Sequence, residues 1–189
     1  MNLNTISLTI GLLWVLSEIV LARVKRSGLK SSDLTDRNSL RVIWITIAVS
    51  TTLGWIFGIS NAGHIYGFEY TFRITGLVLI TAGILIRAIA IIILNKYFTV
   101  DVAIVSGHRL ITSGMYKYVR HPSYTGSLLS FAGLGIFWCN WVSMIVIILP
   151  VFAAFSYRIK VEEKVLIKNF GEEYISYTEK TKKLLPKIY

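Results

Sequence analysis

The sequence predicts an all-α integral membrane protein with five transmembrane helices and a cytoplasmic amphipathic helical tail. Three observations lead to this prediction: the composition is strongly apolar, apolar runs recur at membrane-spanning length, and basic connections alternate with neutral ones. Hydrophobic residues make up 54% and charged residues 16% of the 189 residues, whereas soluble domains average about 25% charged residues. A chain of this length has room for a single domain.

The apolar runs place the helices. A helix needs about 20 apolar residues to cross the hydrocarbon core of a bilayer. The block Tyr124–Tyr157 is too long for one span, and Cys139-Asn140-Trp141 is expected to form a tight turn that divides it. The polar stretch Ser27–Ser39 is expected to be a mobile loop. The predicted spans are therefore about 3–22, 40–60, 74–94, 124–139 and 141–157.

The charges of the connections predict the orientation. Residues 23–41 carry six basic and two acidic residues, and segments 95–123 and 158–189 each carry a net charge of +3. Residues 61–73 and 139–141 are neutral overall. Because an excess of Lys and Arg marks the cytoplasmic side, the N-terminus is predicted outside, with segment 95–123 and the C-terminus inside. An even number of spans would break this alternation.

The composition also indicates which classes of binding partner to expect. The formal charge of +10 comes from residues that flank apolar runs, so anionic lipid headgroups are expected as partners and nucleic acid is not. The first apolar run lacks a basic leading region and a clear A-x-A cleavage site, which favours a span over a cleaved signal. The three histidines show no metal-ligand spacing, and no metal is expected. No phosphate-binding glycine loop or nucleophile elbow is found either.

The segment 95–123 is rich in groups that can carry chemistry. Pro122 suits the first turn of the fourth helix, and the free N–H groups of that turn would form an anion site beside Arg120 and His121. The alternative is a solvated loop whose basic residues and tyrosines lie at the headgroup level. Spacing alone favours the solvated loop.

A second cluster follows the fifth span. Arg158 and Glu162 are four residues apart, so they share one face of the continuing helix. Such a pair at the membrane edge holds a charged ligand or orients an acceptor, unless it is an ordinary surface ion pair. Glu163 and Lys164 are expected to be solvated.

Charged residues within the spans are costly. Arg87 lies near the cytoplasmic end of the third span, where it either extends to the headgroup level or forms the floor of a site. Glu18 has a similar position in the first span and is expected to pair with a neighbour. Gly133-Leu134-Gly135 is expected to be a helix-packing notch.

Three blocks carry a family resemblance. Gly107–Gly126 reads GHRLITSGMYKYVRHPSYTG, Arg158–Glu163 has the form R-x-x-x-E-E, and Phe170–Tyr177 has the form F-G-x-x-Y-x-x-Y. In order and spacing these blocks resemble the isoprenylcysteine carboxyl methyltransferase family, including its prokaryotic members and the related phospholipid methyltransferases. Judged from the positions of these motifs, the resemblance covers roughly the last 100 residues.

The resemblance implies a membrane methyltransferase that uses S-adenosylmethionine and releases S-adenosylhomocysteine. It implies a cofactor pocket at the cytoplasmic membrane edge, with Arg158 orienting the acceptor and Glu162 near the cofactor's amino group. Arg120 joins the cofactor set through the helix-start anion site, and Arg87 and Tyr97 are candidates for the acceptor side. The residues that the resemblance places around the cofactor are His108, Leu110, Tyr116, His121, Pro122 and Tyr124.

The acceptor is less defined than the donor. The stretch Asn95–Val100 departs from the Gly-Arg/Asn-Asn-Trp-Ser version seen in some members. The leading hypothesis is O-methylation of an isoprenylcysteine-type carboxylate, on a lipophilic or prenylated acceptor that enters from the inner leaflet. Alternatives are N-methylation of a phosphatidylethanolamine-like lipid, methylation of a lipophilic thiol, and a non-catalytic lipid-binding or assembly module. The sequence leaves the oligomeric state open.

Overall fold

The computed structural model describes residues 3–25, 34–102, 104 and 107–186. In these ranges, regular secondary structure is helical, and β pairing is confined to two isolated bridges. Short 3₁₀ turns lie at Asn95–Tyr97 and Gly114–Lys117. The α-helices are α1 (Leu3–Val24), α2 (Leu34–Gly58), α3 (Glu69–Leu94), α4 (Pro122–Phe137), α5 (Trp141–Phe170) and α6 (Glu172–Lys180).

The helices α1 to α5 lie where the five spans were predicted. Three helical stretches in the described residues are long and apolar enough to cross a membrane: Arg37–Gly58, Glu69–Tyr97 and Trp141–Phe170. Large apolar side chains are exposed along these stretches and along α1, as expected for helices that contact lipid. The fold is therefore that of an all-helical integral membrane protein.

One boundary differs from the prediction. Helix α2 begins at Leu34, so residues 34–39 of the predicted mobile loop are helical, and residues 27–33 of that loop lie outside the described part. The reason is tertiary: Ser39 is completely buried and hydrogen-bonds to a side chain of α5. Polar composition predicted a loop, whereas a buried contact stabilises the first turns of the helix.

The turn between α4 and α5 is confirmed at the predicted position. Asn140 is the N-cap of α5, and its side-chain oxygen accepts hydrogen bonds from the backbone N–H groups of Val142 and Ser143, at 2.9 and 3.1 Å. Its amide Nδ2 donates to the carbonyl oxygens of Phe57 and Ala62, each at 2.8 Å. One buried residue therefore starts α5 and attaches it to the end of α2.

Paired glycines bring α3 and α4 together. A Cβ atom at Gly133 would lie 2.7 Å from the Gly76 carbonyl oxygen, and one at Gly126 would lie 2.6 Å from that of Gly83. The two pairs are seven residues apart on each helix, so two successive contacts fall on the same face. The predicted packing notch at Gly133 is thus confirmed, and the small residues allow the backbones to approach closely.

The tail folds back on the bundle. Gly171, with a φ of +54°, separates α5 from the amphipathic helix α6, which buries Tyr174 and Tyr177. Residues 181–184, here called the C-terminal strap, then run beside the start of α4. Backbone N–H groups of Arg120 and His121 donate to strap carbonyls at 2.8 and 3.0 Å, so the strap holds the segment that leads into α4.

Candidate active site

A buried cation lies on α5. Arg158 is only 2% exposed, and burying a charge is costly unless its donors are satisfied. Its Nη1 donates to the hydroxyl of Ser39 at 2.5 Å, and its Nη2 donates to the carbonyl oxygen of Val100 at 2.8 Å. These bonds fix the guanidinium between α2 and the loop that follows α3.

Glu162 lies one helical turn beyond Arg158, as predicted. Its side chain is 32% exposed, and its carboxylate lies 4.0 Å from Nδ1 of His121. Tyr124 lies close to both Arg158 and Glu162. The two predicted blocks, on α5 and at the start of α4, are therefore brought together in space.

Helix α4 begins at Pro122, as the sequence predicts, but the predicted anion site loses the N–H groups of Tyr124 and Thr125, which bond within the helix. Pro122 occupies the first turn and is fully buried, and His121 is the N-cap residue with 5% exposure. The backbone N–H groups of Tyr124 and Thr125 donate to the His121 carbonyl oxygen at 3.0 and 3.1 Å. This tight first turn directs the His121 ring and the Tyr124 ring toward α5, with their centroids 5.9 Å apart.

His108 forms another wall. Its ring stacks on Tyr97 with centroids 4.9 Å apart and an interplanar angle of 14°, and it meets the ring of Phe170 at 5.5 Å. Burial lowers the pKa of His108, which favours the neutral imidazole. Its Nδ1 is buried and lacks a hydrogen-bond partner within the described residues, so it is available to a polar ligand.

Tyr116 is buried in the turn that precedes α4. It is 5% exposed, and its hydroxyl donates to the carbonyl oxygen of Ala90 at 3.3 Å. Burial raises the pKa of Tyr116 well above its usual value, so the phenol stays protonated. Its carbonyl oxygen accepts a hydrogen bond from the hydroxyl of Tyr177 at 2.6 Å, which joins α6 to the site.

Arg120 has partners that the sequence did not indicate. Its Nε donates to Glu163 at 2.9 Å, and its Nη1 donates to the carbonyl oxygens of Thr178 and, at shorter range, Thr181. These contacts hold the end of α6 and the C-terminal strap. The role of Arg120 in holding a cofactor stays a prediction, while its observed contacts are structural.

The expectation of a solvated Glu163 is wrong. Its side chain is 13% exposed and lies 3.4 Å from Nε2 of His121 and 3.2 Å from Nζ of Lys183. The segment that leads into α4 supplies His121 and the folded-back strap supplies Lys183, and helical spacing alone reveals neither partner. Lys164 is exposed, as expected.

Arg87 is held by α1. Its Nε and Nη2 donate to the two carboxylate oxygens of Glu18 at 2.6 and 2.8 Å, and its Nη1 donates to the hydroxyl of Ser123 at 2.7 Å. The expected partner for Glu18 is thus confirmed. The bidentate pair links α1 and α3 to the first turn of α4.

These residues surround one cavity of about 980 Å³. The predicted residues on its walls are Arg87, Tyr97, His108, Tyr116, Arg120, His121, Tyr124, Arg158 and Glu162. Leu110 lies instead in a smaller adjoining pocket, which it shares with His108, Arg109 and Glu173. Pro122 is buried and acts through the start of α4. Beyond the charged end, the cavity continues between apolar side chains of α1, α2 and α4.

The arrangement defines a class of protein. A helical membrane bundle holds a long cavity with a buried cation, a carboxylate and aromatic rings at one end and mainly apolar side chains, together with Arg73, toward the other. Such a cavity suits ligands that are charged at one end and apolar along the rest of their length. The chain is therefore an integral membrane protein with a large cavity that is charged at one end and mainly apolar along the rest.

The comparisons give the family. Residues 75–168 match the model of the Isoprenylcysteine carboxyl methyltransferase (ICMT) family. Over this segment, which holds most of α3, all of α4 and most of α5, the chain is similar to the isoprenylcysteine carboxyl methyltransferase family. The resemblance inferred from the three sequence blocks is thus confirmed.

Named relatives agree with the family match. A "Probable protein-S-isoprenylcysteine O-methyltransferase" of Oryza sativa subsp. indica is 37% identical over 123 residues, which cover 64% of this chain and 64% of the relative. "Protein-S-isoprenylcysteine O-methyltransferase A" of Arabidopsis thaliana is 38% identical over 106 residues, which cover 55% and 54% of the two chains. The chain thus spans less than two thirds of the length of these curated relatives.

A solved structure shares the fold. It is titled as the eukaryotic intramembrane Ras methyltransferase ICMT without a monobody, and it matches with a TM-score of 0.58 at 23% identity. The match covers 85% of this chain and 55% of the other. It extends well beyond residues 75–168 and supports the helical membrane architecture.

Proposed function

We propose that this protein is an S-adenosylmethionine-dependent methyltransferase that O-methylates an isoprenylcysteine-type carboxylate. The observation that carries the proposal is the placement of Arg158 and Glu162, one turn apart, where the start of α4 meets the apolar cavity. The names of the relatives support the reaction class.

The residues present fit the cofactor. Glu162 is a partially exposed carboxylate at the charged end of the cavity and would hold the ammonium group, whereas Glu163 is paired with Arg120 and Lys183, and Glu18 is paired with Arg87. The His121 ring would hold the carboxylate, and the faces of Tyr116 and Tyr124 favour a sulfonium. When bound, S-adenosylmethionine supplies a methyl group on a positively charged sulfur.

The proposed chemistry of the methyl acceptor is inferred from Arg158. A carboxylate is already anionic, so its methylation requires alignment with the donor and exclusion of water rather than a strong base. The guanidinium holds one carboxylate oxygen and leaves the other toward the methyl group. A cation at this position disfavours an amine acceptor, because an ammonium group would be repelled.

The membrane orientation is part of the proposal. We infer a single domain with five spans, the N-terminus outside, and the site and C-terminus in the cytoplasm. The alternation of basic and neutral connections supports this orientation. Because the native Cys139 is buried, a K164C variant gives a clean test. A membrane-impermeant thiol reagent should label it in inside-out vesicles, and labelling only in right-side-out vesicles would reverse the orientation.

A methyl-transfer assay tests the reaction. Labelled S-adenosylmethionine is incubated with the detergent-solubilised protein and either a prenylcysteine analogue or a lipid extract. We expect base-labile product from the prenylcysteine, because esters release methanol readily, whereas base-stable product from lipid would indicate N-methylation. The R158A and E162A variants should lose turnover, and K164Q on the exposed side of α5 should retain it.

Calorimetry separates binding from turnover. S-adenosylhomocysteine should bind the wild type at micromolar concentration and bind E162A more weakly. If neither S-adenosylmethionine nor S-adenosylhomocysteine binds, the enzymatic proposal fails. If R158A and E162A change neither binding nor turnover, a non-catalytic lipid-binding role is favoured instead.

A further inference from the structure

Two aromatic rings meet in the apolar part of the cavity, and their contact is here called the narrow point. Trp14 of α1 reaches Phe131 of α4, with ring centroids 4.9 Å apart, and both residues line the cavity. Phe131 in turn lies 6.2 Å from the ring of Phe155 on α5. Trp14 therefore extends from the outermost helix to the centre of the bundle.

The narrow point divides the cavity along its length. Helices α1 and α4 run in opposite directions, because Glu18 is linked through Arg87 to Ser123, whereas Trp14 contacts Phe131. At 1.5 Å per residue, Phe131 lies about 10 Å along α4 from Tyr124, and Trp138 lies about 20 Å from it. The cavity continues past Trp14 to Gly11, Leu134 and Trp138.

Gly11 is unlike the other α-helical glycines that the structure describes. Each of the others would place a Cβ atom within 3.0 Å of another group, whereas a Cβ at Gly11 would meet nothing within 4 Å. Glycine in a helix interior is less favourable than alanine, and close helix packing does not account for its presence here. Gly11 is three residues from Trp14, on the same face of α1, and lines the far part of the cavity.

We propose that Trp14 and Gly11 select the acceptor by the length of its apolar chain. This inference rests on the proposed function and specifies one part of the same site. With the acceptor's carboxylate at Arg158, its chain extends along α4 toward the Trp14–Phe131 contact. A short chain ends before this contact, and a long chain passes the indole and uses the space that Gly11 leaves open.

The continuity of the cavity identifies the occupant. The same space that holds Arg158 and Glu162 at one end continues between apolar walls past Trp14. A molecule with one anionic group and one long apolar chain matches both ends. If a bilayer lipid occupies the far part of the cavity instead, acceptor selectivity will not depend on Trp14 and Gly11. The test below distinguishes this outcome from binding of the acceptor chain.

The test measures methyl transfer to N-acetylcysteine carrying a geranyl, farnesyl or geranylgeranyl chain on sulfur. The quantity compared is the ratio of kcat/KM for the longest chain to that for the shortest. Both values come from one preparation, so a loss of folded protein lowers them equally and leaves the ratio unchanged. In W14A the ratio should rise about tenfold, because the narrow point opens, and in G11L it should fall by a similar factor.

L13A is the matched control, because Leu13 is 62% exposed and its side chain faces away from the cavity. Its ratio and rates should equal those of the wild type. Methyl transfer with unchanged ratios in both W14A and G11L would overturn the inference while leaving the proposed function intact. No transfer to any of these acceptors by the wild type would overturn both.

Discussion

The Nη1 atom of Arg158 lies 2.5 Å from the hydroxyl oxygen of Ser39, which is 119 positions earlier in the chain. This contact sets the guanidinium against the first turns of α2 at the charged end of the cavity. The orientation of Arg158 therefore depends on a residue outside the segment that matches the family model.

The S39A variant tests this dependence. Removing the hydroxyl frees one guanidinium donor, so we expect kcat/KM for the acceptor to fall by about tenfold, the effect of one hydrogen bond. The dissociation constant for S-adenosylhomocysteine should stay the same. T52A, an exposed position on α2, serves as the control. Equal loss of cofactor binding would show that Ser39 supports the whole site rather than Arg158.

Adjacent glutamates should behave differently. In E162Q we expect the dissociation constant for S-adenosylhomocysteine to rise about tenfold, because the ammonium loses a charged partner, with little change in Tm. In E163Q the pairs with Arg120 and Lys183 are lost, so Tm should fall by about 2–4 °C and protease should cut the C-terminal strap sooner. Identical behaviour of the two variants would contradict this division of roles.

The Glu18–Arg87 pair predicts a coupling between α1 and α3. E18Q and R87Q should each lower Tm, because each leaves the other side chain without its charged partner. The double variant should be less destabilised than the sum of the two, with a coupling of about 1–3 kcal/mol. Thermal unfolding in detergent measures all four proteins. Additive effects would indicate that the pair contributes no net stability.

The glycine contacts predict that substitution by alanine lowers Tm at Gly133 but not at Gly11. G133A places a Cβ atom 2.7 Å from the Gly76 carbonyl oxygen, so α3 and α4 must separate and Tm should fall. G11A meets nothing within 4 Å, so the better helix propensity of alanine should leave Tm equal or slightly higher. A higher Tm for G133A would contradict the close approach of α3 and α4.

Hydropathy predicted the helices, and the sequence motifs identified residues at the charged end of the cavity but not its apolar walls. Arg158, Glu162 and His121 were identified because their blocks have a characteristic spacing, and they share one cavity. Ser39 and Glu163 were missed because long-range contacts bury them. The partners of Glu163 lie in the segment that leads into α4 and in the C-terminal strap, and helical spacing within α5 cannot indicate either.

His108 gives a prediction for pH dependence. Burial lowers its pKa below the usual value, which is near 6.5, so below about pH 6.5 the unfolded chain binds more protons than the folded protein. The stability contribution of the neutral ring is therefore complete above about pH 6.5 and is lost as the pH falls. H108F keeps the aromatic stacking on Tyr97 without a titratable group. As the pH falls from about 8 to about 5.5, we expect the Tm of the wild type to decrease more steeply than the Tm of H108F. Parallel curves would show that protonation of His108 costs the folded protein nothing, and the imidazole would then be as hydrated as in the unfolded chain.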